Sequence, residues 1–142
     1  MTARKNILVV DDDPDFVEIN KTILETSGYQ VAVAHDGQEC LARARTDKPD
    51  LIILDIMMKT VGDGMFAAQA LRQDQATKAI PIIVVTGVNQ VPPFNIGPDD
   101  GWLPVDAFIE KPAVPQVLLE HVRRALGQAT TRVERGTQSG AR

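Results

Sequence analysis

A doubly wound α/β domain, with a five-stranded parallel sheet between helices, is the fold class this sequence predicts, and three observations lead to it. Four short apolar runs, Ile7-Leu8-Val9-Val10, Val31-Ala32-Val33-Ala34, Leu51-Ile52-Ile53-Leu54 and Ile82-Ile83-Val84-Val85, have the length and aliphatic character of strands buried on both faces. Segments with helical spacing of apolar residues lie between them, and that alternation implies right-handed crossovers and a mostly parallel sheet. Two of the runs end directly in carboxylates, Asp11-Asp12-Asp13 and Asp55, and ligands of such sheets bind outside the carboxyl ends of the strands.

The elements follow in order. After the first strand, Pro14 suits the first turn of a helix and Asp13 suits its N-cap, because a side-chain oxygen there satisfies a free N–H. Phe16, Ile19, Ile23 and Leu24 mark the apolar stripe of that helix, and Gly28 closes it. Val31 to Ala34 form the second strand, His35-Asp36-Gly37 a turn, and 38–46 the second helix. Pro49-Asp50 introduces the Leu51 to Leu54 strand, and a third helix after Gly64 carries Phe66, Ala67, Ala70 and Leu71 on one face. Pro81 opens the fourth strand. Six prolines and glycines between Pro92 and Pro104 break any long helix in 87–106, so the fourth helix of the fold is expected to be reduced or replaced by loop. Ala107-Phe108-Ile109 is the fifth strand, and a last helix carries Val114, Val117, Leu118, Val122 and Ala125 before Gly127 ends it.

A chain of 142 residues, 44% hydrophobic, supports one domain with a substantial core. Residues 1–127 are read as that domain and the polar stretch 128–142 as a disordered tail. The net charge is −4 and no run of Lys and Arg exceeds the Arg123-Arg124 pair, so no direct contact with nucleic acid is expected. The apolar run before Asp11 is too short for a secretory signal and no stretch approaches a membrane span, which makes a cytoplasmic protein without membrane contact the expectation. Cys40, the only cysteine, is read as a small hydrophobe, and His35 and His121 as ordinary partly exposed histidines.

In a parallel sheet the ends of separate strands share one edge, which lets Asp11, Asp12, Asp55, Thr86 and Lys111 converge although they are far apart in sequence. Three carboxylates in one pocket repel one another unless protons or a cation neutralise them. All-oxygen ligation favours Mg2+ or Mn2+ over Zn2+, and no Cys/His cluster offers the softer alternative. Thr86 adds a hydroxyl and Lys111 a mobile point charge suited to an anionic oxygen. Such a set describes a place to hold a phosphoryl group on Asp55, since carboxylate nucleophiles that form aspartyl phosphates are a known form of covalent catalysis.

With these residues assembled, the chain resembles the receiver domain of two-component response regulators, in its stand-alone form. The resemblance rests on ILVVDDDPD, LIILDIMM, IIVVTG and FIEKP in that order, and covers about Asn6 to Leu126. It implies a flavodoxin-like three-layer sandwich and a phosphorylation-dependent signalling switch rather than an enzyme. It also implies Asp55 as phosphoacceptor, Asp12 as a direct Mg2+ ligand, Asp11 as an acidic partner acting partly through water, and the backbone carbonyl of Met57 as a further ligand. Thr86 and Lys111 would contact the phosphoryl oxygens, and Phe108 matches the switch aromatic. The implied partners are a histidine kinase or histidine phosphotransfer protein and a downstream protein target.

Two departures stand out. Met58 is followed by Lys59 where receivers usually have proline, and Gly64 falls nine residues after Asp55 instead of eight, so the loop after the site is expected to be one residue longer. The irregular 87–106 segment falls where receivers place the fourth helix of their signalling surface. Apolar Met57 and Val88 occupy positions that tune access of water to the phosphoryl group, which predicts slow self-dephosphorylation.

Other readings exist for the same residues. Asp11-x-Asp13 superficially resembles the nucleophile motif of haloacid-dehalogenase-like phosphatases, with Asp11 as nucleophile, but Asp15-Phe16 is a poor match for the rest of that motif and no late acidic pair follows. A pseudo-receiver that binds partners without phosphorylation is a third possibility, and the intact acidic set argues against it. Gly62-x-Gly64-x-x-Ala67 fits a dinucleotide fingerprint only formally, because it does not follow directly on its strand.

Overall fold

A computed structural model describes residues 4–55, 61–86, 107–110 and 114–127. Its strands are β1 (Asn6–Val10), β2 (Gln30–Ala34), β3 (Leu51–Asp55), β4 (Ile82–Thr86) and β5 (Ala107–Glu110). The helices are α1 (Pro14–Thr26), α2 (Gly37–Asp47), α3 (Val61–Gln73) and α4 (Pro115–Ala125). All strand pairs are parallel, in the order β2-β1-β3-β4-β5. This is the flavodoxin-like order, and its topological switch point lies between β1 and β3, where the chain turns from one half of the sheet to the other.

Strand alternation divides the core into two layers. Leu8, Val10, Ile52, Leu54, Ile82 and Val84 face one side, against Cys40, Leu41 and Ala44 of α2 and Ala67, Ala68 and Leu71 of α3. Ile7, Val9, Leu51, Ile53, Ile83, Val85 and Ile109 face the other, against Val17 and Leu24 of α1 and Leu118 and Val122 of α4. Each fully buried Ile or Leu contributes roughly 1.5–3 kcal/mol of transfer free energy. Every residue of β3 is buried, Asp55 included, so the central strand is held on both faces right up to the carboxylate.

Local chemistry sets the helix limits. Asp13 caps α1 by accepting the Asp15 N–H at 3.0 Å, with Pro14 in the first turn as expected. At the other end Gly28 adopts a φ of +100°, where a side chain would be strained. The Tyr29 N–H reaches the Leu24 carbonyl and the Gly28 N–H that of Glu25, a Schellman closure with Tyr29 packed in the same layer as Leu24. Asp36 caps α2 through the Glu39 N–H at 2.8 Å, while the Glu39 carboxylate accepts the His35 N–H at 2.9 Å. The Asp36-x-x-Glu39 spacing is that of a capping box, a helix-start signal present in the sequence.

Four apolar assignments need correction. Ile19 is 59% exposed and Phe66 52% exposed, because the buried face of α1 runs through Val17, Asn20 and Leu24 and that of α3 through Ala67, Ala68 and Leu71. Val114 precedes α4 as its N-cap and Val117 lies in the first turn, and both are exposed while Leu118 and Val122 carry the packing. The third helix starts at Val61, ahead of Gly64, which sits buried inside it. The 56–60 loop, the 87–106 segment and the 128–142 stretch lie outside the described residues. Cys40 is fully buried.

Candidate functional site

The carboxyl ends of β1 and β3 are neighbours in the sheet: Val10 pairs with Leu54, so Asp11 and Asp55 stand side by side at the switch point. The Asp11 N–H donates to the Ala34 carbonyl at 3.1 Å, carrying the β1–β2 ladder one residue past the strand. The Asp11 carboxylate accepts the Asp13 N–H at 3.0 Å, and Asp13 in turn caps α1. Three consecutive aspartates thus have three positions. Asp11 is buried and held by backbone contacts, Asp13 starts the helix, and Asp12 between them is exposed at the mouth of the site.

One carboxylate oxygen from each of Asp11, Asp12 and Asp55 lies within 4.8 Å of the others. Asp11 and Asp55 are 0% and 2% exposed. Negative charges packed this closely, two of them away from bulk water, repel strongly unless a cation or protons compensate them. Hard oxygen donors without nitrogen or sulfur fit a small divalent cation such as Mg2+. Among the described residues this is the group of His, Cys, Asp and Glu side chains placed to hold a metal ion.

The remaining sequence-predicted positions are placed less completely. Thr86 ends β4 in register with Glu110 at the end of β5, on the same edge as Asp55, whose register partner is Val85. Phe108 sits opposite Val84. The side chains of Thr86 and Phe108, and the whole of Met57 and Lys111, lie outside what is described. His35 follows β2 on this edge, is exposed, and faces Glu39 at 3.2 Å.

The response regulator receiver domain family matches residues 7–123 of the chain. The chain belongs to this family. The receiver is 38% identical over 127 residues to the DNA-binding dual master transcriptional regulator RpaA of Synechocystis, covering 89% of this chain and 51% of that protein. It is 34% identical over 125 residues to the DNA-binding response regulator MtrA of Mycolicibacterium smegmatis, covering 88% and 52%. The receiver therefore spans about half the length of the curated relatives it matches. Among solved structures, a putative response regulator from Chloroflexus aurantiacus superposes with a TM-score of 0.76 at 26% identity, covering 89% of this chain and all of that one. Family membership accounts for the fold, the strand order and a signalling role in two-component systems, and it displaces the phosphatase reading. No helix among the described residues is long and apolar enough to cross a membrane.

Proposed function

We propose that this receiver accepts a phosphoryl group on Asp55 from a histidine kinase or a histidine phosphotransfer protein, and that the modified form is read by a downstream protein. The observation that carries this reading is the convergence of Asp11, Asp12 and Asp55 within 4.8 Å at the switch point of the sheet. Asp11, Asp12 and Asp55, with the Met57 carbonyl, would hold Mg2+ or Mn2+. When bound, that cation supplies neutralisation of the charge on the phosphoryl oxygens.

A carboxylate oxygen of Asp55 forms the new bond to phosphorus as the bond from phosphorus to the donor imidazole nitrogen breaks. The electron pair of that bond stays on the nitrogen. Phosphoryl transfer asks mainly for positioning and charge stabilisation, and β3, packed on both faces, positions Asp55. Lys111 and Thr86 act on the phosphoryl oxygens, and movement of Thr86 with repacking of Phe108 biases the surface between two states. We place the functional unit in residues 1–127, consistent with the family match over 7–123, and in the cytoplasm. Hydrolysis of the acyl phosphate is slow, owing to apolar Met57 and Val88.

Incubating the protein with Mg2+ and a small acyl phosphate, then mapping the added mass, tests the assignment. Label on the peptide carrying Asp55, lost in Asp55→Asn, supports it. Label on Asp11 with turnover of a phosphate ester would return the phosphatase, and binding of partners with no label at all would leave a pseudo-receiver. Decay of the labelled form as fast as that of short-lived receivers would overturn the slow-hydrolysis proposal alone.

A further inference from the structure

The ten Lys and Arg residues in the described segments divide evenly. Lys21, Arg43, Arg45 and Arg124 face carboxylates, and Arg72 donates to the carbonyls of Lys78 and Ile80. Arg4, Lys5, Lys48, Lys78 and Arg123 form no ion pair or side-chain hydrogen bond with any described residue. All five lie at the end of the sheet opposite the acidic site. Arg4 and Lys5 precede β1, Lys48 precedes β3, Lys78 precedes β4, and Arg123 lies in the last turn of α4. The strand starts are tied together by the bonds from the Asp50 N–H to the Asn6 carbonyl at 2.8 Å and from the Ile52 N–H to the Pro81 carbonyl at 3.0 Å. Arg123 acts electrostatically on the Tyr29 phenol, which burial pushes up and Arg123 pulls partly back, so it belongs to the same end.

The carboxylates at this end are engaged. Glu25 meets Lys21, Asp47 meets Arg43, Asp74 meets Arg45, Glu120 meets Arg124, and Asp50 accepts the Asn6 N–H. The Asn6 N–H does not neutralise Asp50, so five uncommitted cations set against that one carboxylate leave a local positive surplus. Strands of five residues at about 3.3 Å each hold the two ends about 16 Å apart, roughly two Debye lengths at physiological salt. The acidic site then cancels little of the positive field at this end.

Lys48 adds an independent observation. It occupies the left-handed region at the C-cap of α2, with φ +47°, a place that favours glycine or asparagine. The lysine there is exposed and has no ion-pair partner among the described residues.

Net charge and the lack of a basic run argue against nucleic-acid contact, but the fold gathers cations that the sequence scatters, and we propose that the amino-terminal edge of the sheet, through Arg4, Lys5, Lys48 and Lys78, is a contact face for the phosphate backbone of a nucleic acid. Cations precede β1, β3 and β4, which are neighbours in the sheet, so they are strung along one edge, an arrangement suited to a line of negative charges. An anionic membrane is the weaker match, because the large exposed apolar side chains, Ile19, Phe66, Val114 and Val117, sit in the middle or first half of their helices or just before α4. Among the described residues none stands at the helix ends that flank this edge, so no apolar anchor is described beside the cations.

The test is fluorescence anisotropy with a short, mixed-sequence DNA duplex across a salt series, using the full chain. Binding should weaken with a log–log slope of about −3.6 for four phosphates at about −0.9 each, and Lys78→Gln should reduce that slope by about 0.9. Lys48→Gly should weaken DNA binding while raising the Tm, which separates the contact from any loss of folding. Lys21→Gln, which removes a paired cation in the middle of α1, should leave the slope unchanged. Absence of binding at low salt, a slope indifferent to both Lys48→Gly and Lys78→Gln, or binding to anionic vesicles but not to DNA would each overturn the proposal.

Discussion

At their carboxyl ends the strands carry a crowded acidic group that is mostly buried and held by backbone contacts; at their amino ends they carry cations that are mostly exposed and uncommitted. Asp11 is fully buried, donates its N–H to Ala34 and accepts that of Asp13, whereas Lys5, Lys48 and Lys78 are exposed on the segments that lead into strands. The difference shows how one sheet supports two kinds of charge. Like charges brought together away from water destabilise the fold until a ligand compensates them, which suits a site built to bind and react. Like charges spread along a solvated edge cost little, since water and salt screen them, which suits a surface that only attracts.

The largest effect expected at the acidic end is from Asp55→Asn, which should abolish labelling by an acyl phosphate while leaving the DNA slope of the opposite end unchanged. Parallel change in both readouts would mean that the ends are coupled and the contrast between them is false. Next, Mg2+ should stabilise the unmodified protein by about 2.7 kcal/mol at a hundredfold excess over its dissociation constant, read as a rise in Tm, and most of that gain should vanish in Asp12→Asn. In metal-free buffer the same substitution should stabilise the fold, on the order of 1 kcal/mol, because it removes one of three repelling charges. Destabilisation there would show that the carboxylates are already compensated within the protein.

Smaller effects sharpen the contrast further. Asp13→Ala and Asp36→Ala each remove a helix cap and should cost about 1 kcal/mol by thermal unfolding. Neither should remove the bond that holds the Asp11 carboxylate, because its donor is the backbone N–H of Asp13, which alanine keeps, so Mg2+ binding should survive both substitutions. At the basic end, Lys48→Gly should gain about 1 kcal/mol by relieving a left-handed backbone.

The smallest expected effect concerns pH. Asp74 is held below the usual carboxylate range, first by the Ala76 N–H and then by Arg45. Its contribution to stability is present above the carboxylate's unfolded value and is lost as pH falls through the lower folded value. Asp74→Asn should therefore lower stability in the neutral region, flatten the acid limb of the profile and leave its strongly acid end little changed. An unaltered acid limb would show that the pairing with Arg45 contributes nothing in solution.

Strands were the most legible part of the fold. Continuous aliphatic runs bounded by proline, glycine and aspartate located all five to within about a residue, and the structure extends β3 to include Asp55 and β4 to include Thr86. Helix faces were less legible where apolar residues outnumbered the positions facing the sheet: Ile19 and Phe66 fit the spacing yet point to solvent, while polar Asn20 is buried with its Nδ2 donating to the Phe16 carbonyl at 2.7 Å. Gly64 suggested a boundary because glycine usually interrupts helices, but here it is buried within α3. The carboxylates were legible as strand-end residues, and their motifs resemble those of receivers.

By itself the sequence determined the alternation of strands and helices, the caps at Asp13 and Gly28, and the kinds of residue available for phosphoryl chemistry. These depend on preferences that act within a few neighbouring residues. Tertiary structure alone decided that Asp11 lies beside Asp55 within 4.8 Å of Asp12, and that cations scattered singly from Arg4 to Arg123 gather at one end. Neither grouping has a local cause. Both follow from the register of parallel strands, which places every strand start on one edge and every strand end on the other.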